Sequence, residues 1–181
     1  MKILIIGASG SGSTTLAKKI GDQFSFSHLD VDDYYWKKTT PPYQKKVSPS
    51  LRRENHYKDF NASEDAIVSG SLVSWGNEWL TLFDLTVFIK IDPSIRMQRL
   101  KDREMERYGS QLQSNDLIKK QSADFLAWAR QYDDPQFEGR SIKIQQDWIN
   151  QLSGKILTID GALPLREKME IISNEIKCIS K

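Results

Sequence analysis

The opening stretch, MKILIIGASGSGSTTLAKKI, restricts the fold more than any other part of the chain. An apolar run, a glycine-rich segment and a helix-spaced series (Leu16, Ile20, Phe24) follow one another without a break. That order reads as a buried strand, a tightly curled loop and an amphipathic helix, with Gly21 weakening the last turn. Gly7, Gly12 and Thr14 hold three fixed places of the phosphate-loop pattern G-x-x-x-x-G-K-[ST], but Ser13 stands where the lysine belongs.

Two physical features favour an anion at residues 7–14 even without that lysine. Glycines let the backbone curl so that successive N–H groups point inward as a nest. A helix beginning near Ser13 adds the partial positive charge of its N-terminus. Thr14 brings a hydroxyl suited to Mg²⁺ on the phosphates. Binding is therefore expected to survive the missing ammonium better than catalysis, since losing one aimed donor costs roughly 10²–10³ in rate. Lys18 and Lys19 lie more than a turn down the helix and are poor substitutes. Arg96, Arg99, Arg103 and Arg107 form a helix stripe that is better placed in principle. The same stripe, paired with Asp102, Glu104 and Glu106, would equally be a solvated face. Two other readings of the loop stay open. One is a glycine turn with no ligand; the other is an NADP-binding Rossmann start, with Asp30 lying 20 residues beyond Gly10. The Rossmann patterns each fail at one glycine, at Ser9 or at Ser13, whereas Thr14 and Thr15 suit a phosphate loop.

The rest of the chain supplies more strands. Apolar runs at 66–70, 85–91 and 155–159, and a weaker one at 27–31, alternate with helical stretches. Continuous apolar runs mark strands buried on both faces, so a doubly wound α/β domain with a parallel sheet is expected. Asp92 and Pro93 start one helix and Gly109 stops it. Ile118, Phe125, Ala129 and Tyr132 suggest another, and Met169, Ile172 and Ile176 a closing one. Residues 37–50 read as a long basic, proline-rich surface loop, and residues 104–116 as a segment outside the core. At 181 residues with 39% apolar content, the chain makes one folded domain, 1–181. A net charge of +2 argues for neither nucleic acid nor a membrane surface. The single cysteine, Cys178, excludes an internal disulfide, and no apolar run nears the about 20 residues of a membrane span. The cytoplasm is the expected compartment.

The stretch HLDVDDYYW puts Asp30, Asp32 and Asp33 at the carboxyl end of the second strand, where open α/β sheets bind ligands. A kinase acting on a hydroxyl needs a carboxylate there to orient the acceptor and take its proton. Asp32 is the candidate base and Asp30 a candidate for the Mg²⁺ hydration shell, although such residues also cap helices. After the third strand, SGSLVSWG offers Gly70 for close approach, hydroxyls at Ser69 and Ser71, and Trp75 as a stacking face or core residue. Trp79 reads as core, and His28 and His56 as structural.

Together, GASGSGSTT, DVDD, the arginine-bearing helix and IDGALP resemble the adenylate-kinase-like branch of P-loop kinases, with DVDD more like the D-x-D of the shikimate type, or the acidic base of sugar and polynucleotide kinases, than anything in true adenylate kinases. The resemblance implies a three-layer domain with a five-stranded sheet of order 2-3-1-4-5, an ATP/Mg²⁺ site and a small arginine-bearing lid at about 101–117. By position, Gly7, Ala8, Ser9, Gly10, Ser11, Gly12, Ser13, Thr14 and Thr15 would hold the phosphates, with Thr14 on the metal. Gly161, Ala162 and Pro164 would lie beside adenine. Arg103, Arg107 and Arg130 would supply lid charges. Asp32, Asp33, Gly70, Ser71 and Trp75 would face a small-molecule acceptor beneath an arm at about 34–64. SGSLVSW replaces the D-G-F-P-R of the nucleoside-monophosphate enzymes, which points away from AMP. Lys45, Lys46, Arg52 and Arg53 suit a phosphorylated acceptor or plain surface. The expected reaction is phosphoryl transfer by a monomer or homodimer, with a catalytically silent nucleotide binder as the alternative.

Overall fold

The apolar runs become a parallel sheet because both of their faces find a cover. In the computed structural model, residues 1–180 are described. The elements are β1 (Lys2–Gly7), α1 (Ser13–Phe24), β2 (Ser27–Asp30), α2 (Val31–Tyr35), α3 (Pro49–Ala62), β3 (Ala66–Ser69) and β4 (Leu85–Lys90). They continue with α4 (Pro93–Tyr108), α5 (Gln111–Ser114), α6 (Asp116–Arg130), α7 (Ile142–Ile149), β5 (Lys155–Asp160) and α8 (Leu165–Ile179). All strand pairs are parallel, in the order β2-β3-β1-β4-β5. This is the 2-3-1-4-5 arrangement. It is not the Rossmann order, in which the second strand lies directly beside the first, so the dinucleotide reading falls here.

Strand alternation divides the core in two. Ile3, Ile5, Val87 and Ile89 pack with Leu16 and Ile20 of α1 and Ile172 and Ile176 of α8. Leu4, Ile6, Val68 and Phe88 face the other way, onto Phe60 of α3, Trp75, Trp79, Phe83 and Ile149 of α7. The edge strands β2 and β5 are only partly covered, which accounts for their weaker or more polar sequences. Gly21 does not end α1. A Cβ there would stand 3.2 Å from the Phe26 carbonyl and 3.3 Å from Ile67, so it marks close helix–sheet packing.

Residues 49–62, within the stretch read as an arm, form α3, started by Ser48 and Pro49. One expectation needs correcting. Residues 104–108 form the last turns of α4, where Glu104 and Tyr108 are buried while Met105 and Glu106 are exposed. The ends of α4 are as expected: Asp92 accepts a hydrogen bond from the Ser94 N–H, and Gly109 follows the last turn.

His56 is wholly buried in an aromatic box, edge-on to Tyr34 at 4.6 Å, Trp79 at 4.9 Å and Trp75 at 5.6 Å between ring centroids. Neither ring nitrogen has a hydrogen-bond partner. Burial pushes its pKa down to about 4 from 6.5. The unfolded chain therefore takes up this proton first, so stability is full above pH 6.5 and declines as pH falls towards 4. Melts at pH 7 and pH 5 should differ by about 2 kcal/mol from this group. His56→Phe should remove that part of the pH dependence; an unchanged dependence would contradict the assignment.

Candidate active site at the carboxyl edge of the sheet

Parallel pairing brings the ends of all five strands to one edge, and the glycine loop between β1 and α1 lies at its centre. Packing holds its curl. A Cβ on Gly7 would meet the Ser11 hydroxyl at 2.6 Å and the Ile89 carbonyl at 2.9 Å. One on Gly10 would meet the Arg96 carbonyl at 2.8 Å and Leu100 at 3.0 Å. Gly10 and Gly12 have φ of +87° and +91°, which glycine alone takes without strain. The Ser11 N–H donates to the Ala8 carbonyl at 3.0 Å, closing the turn.

The first turn of α1 has no side-chain cap and no acidic residue. Its leading amide groups are thus unsatisfied within the helix and carry the positive end of its dipole. Thr14 and Thr15 are exposed there. The chemistry suits a nucleotide's phosphates. It also suits Mg²⁺, which binds through few protein ligands, phosphate oxygens and water. No cluster of three metal-ligating side chains exists among the described residues.

Asp30 ends β2 and caps α2, accepting from the Asp32 N–H at 2.9 Å. Asp32 and Asp33 fall in the first turn of that helix, and solvent reaches both. Surrounding protein and the Asp30 charge nevertheless push the Asp32 carboxyl above its ordinary pKa, while Arg140 and Arg103 pull it back down. Gly70, with φ of +109°, lies against Val31, and Ser71 is half-buried beside it. Trp75 is 3% exposed, packed on His56 and under the Arg52 guanidinium at 5.1 Å. It therefore forms a wall behind the site and not an open stacking face.

The arginine stripe divides by partner. Arg96 is 0% exposed and donates to the Ala129 carbonyl at 3.0 Å and to Asp133, tying α4 to the end of α6. Arg99 donates to the Gly161 carbonyl at 3.2 Å, where Lys168 also donates at 3.1 Å. These contacts, with the Asp160 carboxylate accepting from the Ala162 N–H at 2.8 Å, fix the loop from Gly161 to Pro164 beyond β5. Arg103 lies 5.5 Å from the Phe125 ring with its charge felt by Asp32. Arg107 pairs with Glu104 at 3.2 Å and stands over Tyr43 at 4.9 Å. Arg130 is exposed at the end of α6.

The stretch at 42–44 packs against α6. Gln44 and Gln121 bond through their side chains at 2.6 Å, and Gln121 donates to the Pro42 carbonyl at 3.2 Å. One residue escaped the sequence reading. Arg140, in the irregular loop before α7, donates to the Gly7 carbonyl at 3.1 Å. A lone arginine in GRS carries no motif or periodicity that could single it out.

Sheet order, curled loop and uncapped helix define a P-loop nucleotide-binding kinase fold. The family described as AAA domain matches residues 3–124. A relative from Bacillus subtilis (strain 168), "Uncharacterized protein YqaC", is 36% identical over 168 residues, 93% of each chain. This chain therefore belongs to the AAA domain family. A solved deoxyadenosine kinase from M. mycoides with bound dATP superimposes with a TM-score of 0.60 at 15% identity, covering 98% of this chain and 100% of its own. Shikimate kinase from Aquifex aeolicus does so at 0.54 and 18%, covering 99% and 98%. At those identities the likeness concerns the fold. No helix among the described residues is long and apolar enough to cross a membrane.

The two loop glycines should differ when replaced by alanine. Strain alone costs roughly 1–3 kcal/mol at Gly12, where a Cβ meets nothing within 4 Å. Gly10→Ala adds a collision with α4 and should destabilise more in denaturant melts. Equal losses would show that the loop is not clamped as described.

Proposed function

We propose that the protein is a cytoplasmic, ATP- and Mg²⁺-dependent kinase that phosphorylates a hydroxyl of a small molecule. The observation that carries this reading is the convergence of one carboxylate, Asp32, with the charges of Arg103 and Arg140 beside an uncapped glycine loop. When bound, ATP supplies the phosphoryl group and Mg²⁺ neutralises phosphate charge. Asp32 orients the acceptor hydroxyl and receives its proton as the oxygen bonds to the γ-phosphorus. The bond to the β–γ bridging oxygen breaks, and its electron pair stays with ADP. Gly70, Ser71 and Asp33 border the acceptor, and Gly161, Ala162 and Pro164 border adenine. Arg103, Arg107 and Arg130 supply the cationic charges on the nucleotide side. Positioning and electrostatics provide the acceleration.

A second reading, a nucleotide binder without transfer, is favoured by one feature only, the serine at position 13. Turnover on a panel of sugars, polyols, nucleosides and monophosphates separates the two. With an acceptor in hand, Asp32→Asn should lower kcat by about 10²–10⁴ while leaving ATP affinity within about twofold. Unchanged turnover would remove Asp32 from the base role.

Asp32 must be ionised to act, so the acid limb of the kcat/KM profile should lie above the ordinary carboxylate range. Arg103 lowers the Asp32 pKa, so Arg103→Gln should move that limb to higher pH. A limb that stays put or moves down would separate Arg103 from Asp32.

A further inference from the structure

The Arg140 guanidinium reaches the glycine loop from outside it. Its Nη2 is 3.1 Å from the carbonyl of Gly7, the first loop residue, across 133 positions of sequence. Its Nε is buried and has no partner. No carboxylate among the described residues pairs with it. The carboxylate whose charge it feels most is Asp32, which is not in ion-pair contact with it. A narrow space lined by Ser9, Arg96, Trp128, Ala129, Tyr132 and Arg140 borders the loop at this point. A cation with unfilled donors, held on the loop and facing a carboxylate it does not touch, lacks an anion.

Of the arginines on α4, Arg96 is engaged with Ala129 and Asp133, Arg99 with Gly161, and Arg107 with Glu104. Arg103 approaches from the lid. Lys18 and Lys19 are exposed on α1 beyond its first turn. Arg140 is the cation bonded to the loop itself.

We infer that Arg140 stands in for the lysine replaced by Ser13, binding the terminal phosphates of ATP from the loop after α6. The assignment rests on the kinase reading above. The guanidinium stays charged at any working pH and presents several donors in one plane. It therefore neutralises charge on the terminal phosphates and on the β–γ bridging oxygen as that bond breaks, which is the role an ammonium on the first turn of α1 would have had.

The test is calorimetric titration with Mg·ATP and Mg·ADP, together with steady-state ATP consumption, on the native chain and its variants. Arg140→Gln keeps a polar side chain while removing the charge. It should weaken ATP binding tenfold or more, weaken ADP binding less, and lower turnover by about 10²–10³. Arg140→Lys should recover part of both. The decisive variant adds Ser13→Lys to Arg140→Gln; restoring the lysine should raise ATP affinity and turnover at least tenfold over Arg140→Gln alone. Melting temperatures check that each variant folds, and a misfolded Arg140→Gln is replaced by Arg140→Met in the same pair. Native-like ATP affinity and turnover in Arg140→Gln would overturn the assignment. So would losses that Ser13→Lys does not repair in a folded protein, because they would make Arg140 only a brace for the loop. Failure of the native chain to bind ATP would overturn the kinase reading itself, and this assignment with it.

Discussion

The fold's functional edge depends on the main chain between Gly7 and Gly12 being held in a curl that it would not keep alone. The β4 backbone at Ile89 presses on one side and the α4 backbone at Arg96 on the other. Both contacts come within a distance that excludes a β-carbon. The curl then directs the chain into α1 with no capping side chain, so its first amides stay free.

Around that loop the parallel sheet gathers groups far apart in sequence. β2 delivers Asp30 and Asp32, β3 delivers Gly70 and Ser71, and β5 delivers the Gly161 turn. α4 begins at the same edge, and its arginines leave it in different directions. Arg96 and Arg99 hold architecture, while Arg103 and Arg107 stay with the arm and the lid. The Gln44–Gln121 contact and the Arg107–Tyr43 stack join the loop at 43–44 to α6 and α4. Such polar links between exposed side chains are weak individually.

Features set by neighbours in sequence were legible in it. The β1–loop–α1 unit, the Asp92–Pro93 start of α4 and its Gly109 stop are local matters of backbone and capping. The helix α3 was hidden because it buries little besides His56 and Phe60, too sparse a stripe to show periodicity. The arginine stripe was visible, but its division was not: residues on one helical row touch different elements, and only tertiary packing decides which. Trp75 was ambiguous for the same reason, and the fold puts it into the wall. Arg140 left no trace, since its partner is a backbone carbonyl on the far side of the chain's order.

A structure of the protein crystallised with Mg²⁺ and a non-hydrolysable ATP analogue tests the central idea most directly. The account predicts the β-phosphate inside the loop, bonded to backbone N–H groups between Gly10 and Thr14, with no lysine ammonium in contact. A loop left empty at millimolar analogue, or phosphates held by side chains elsewhere, would contradict it.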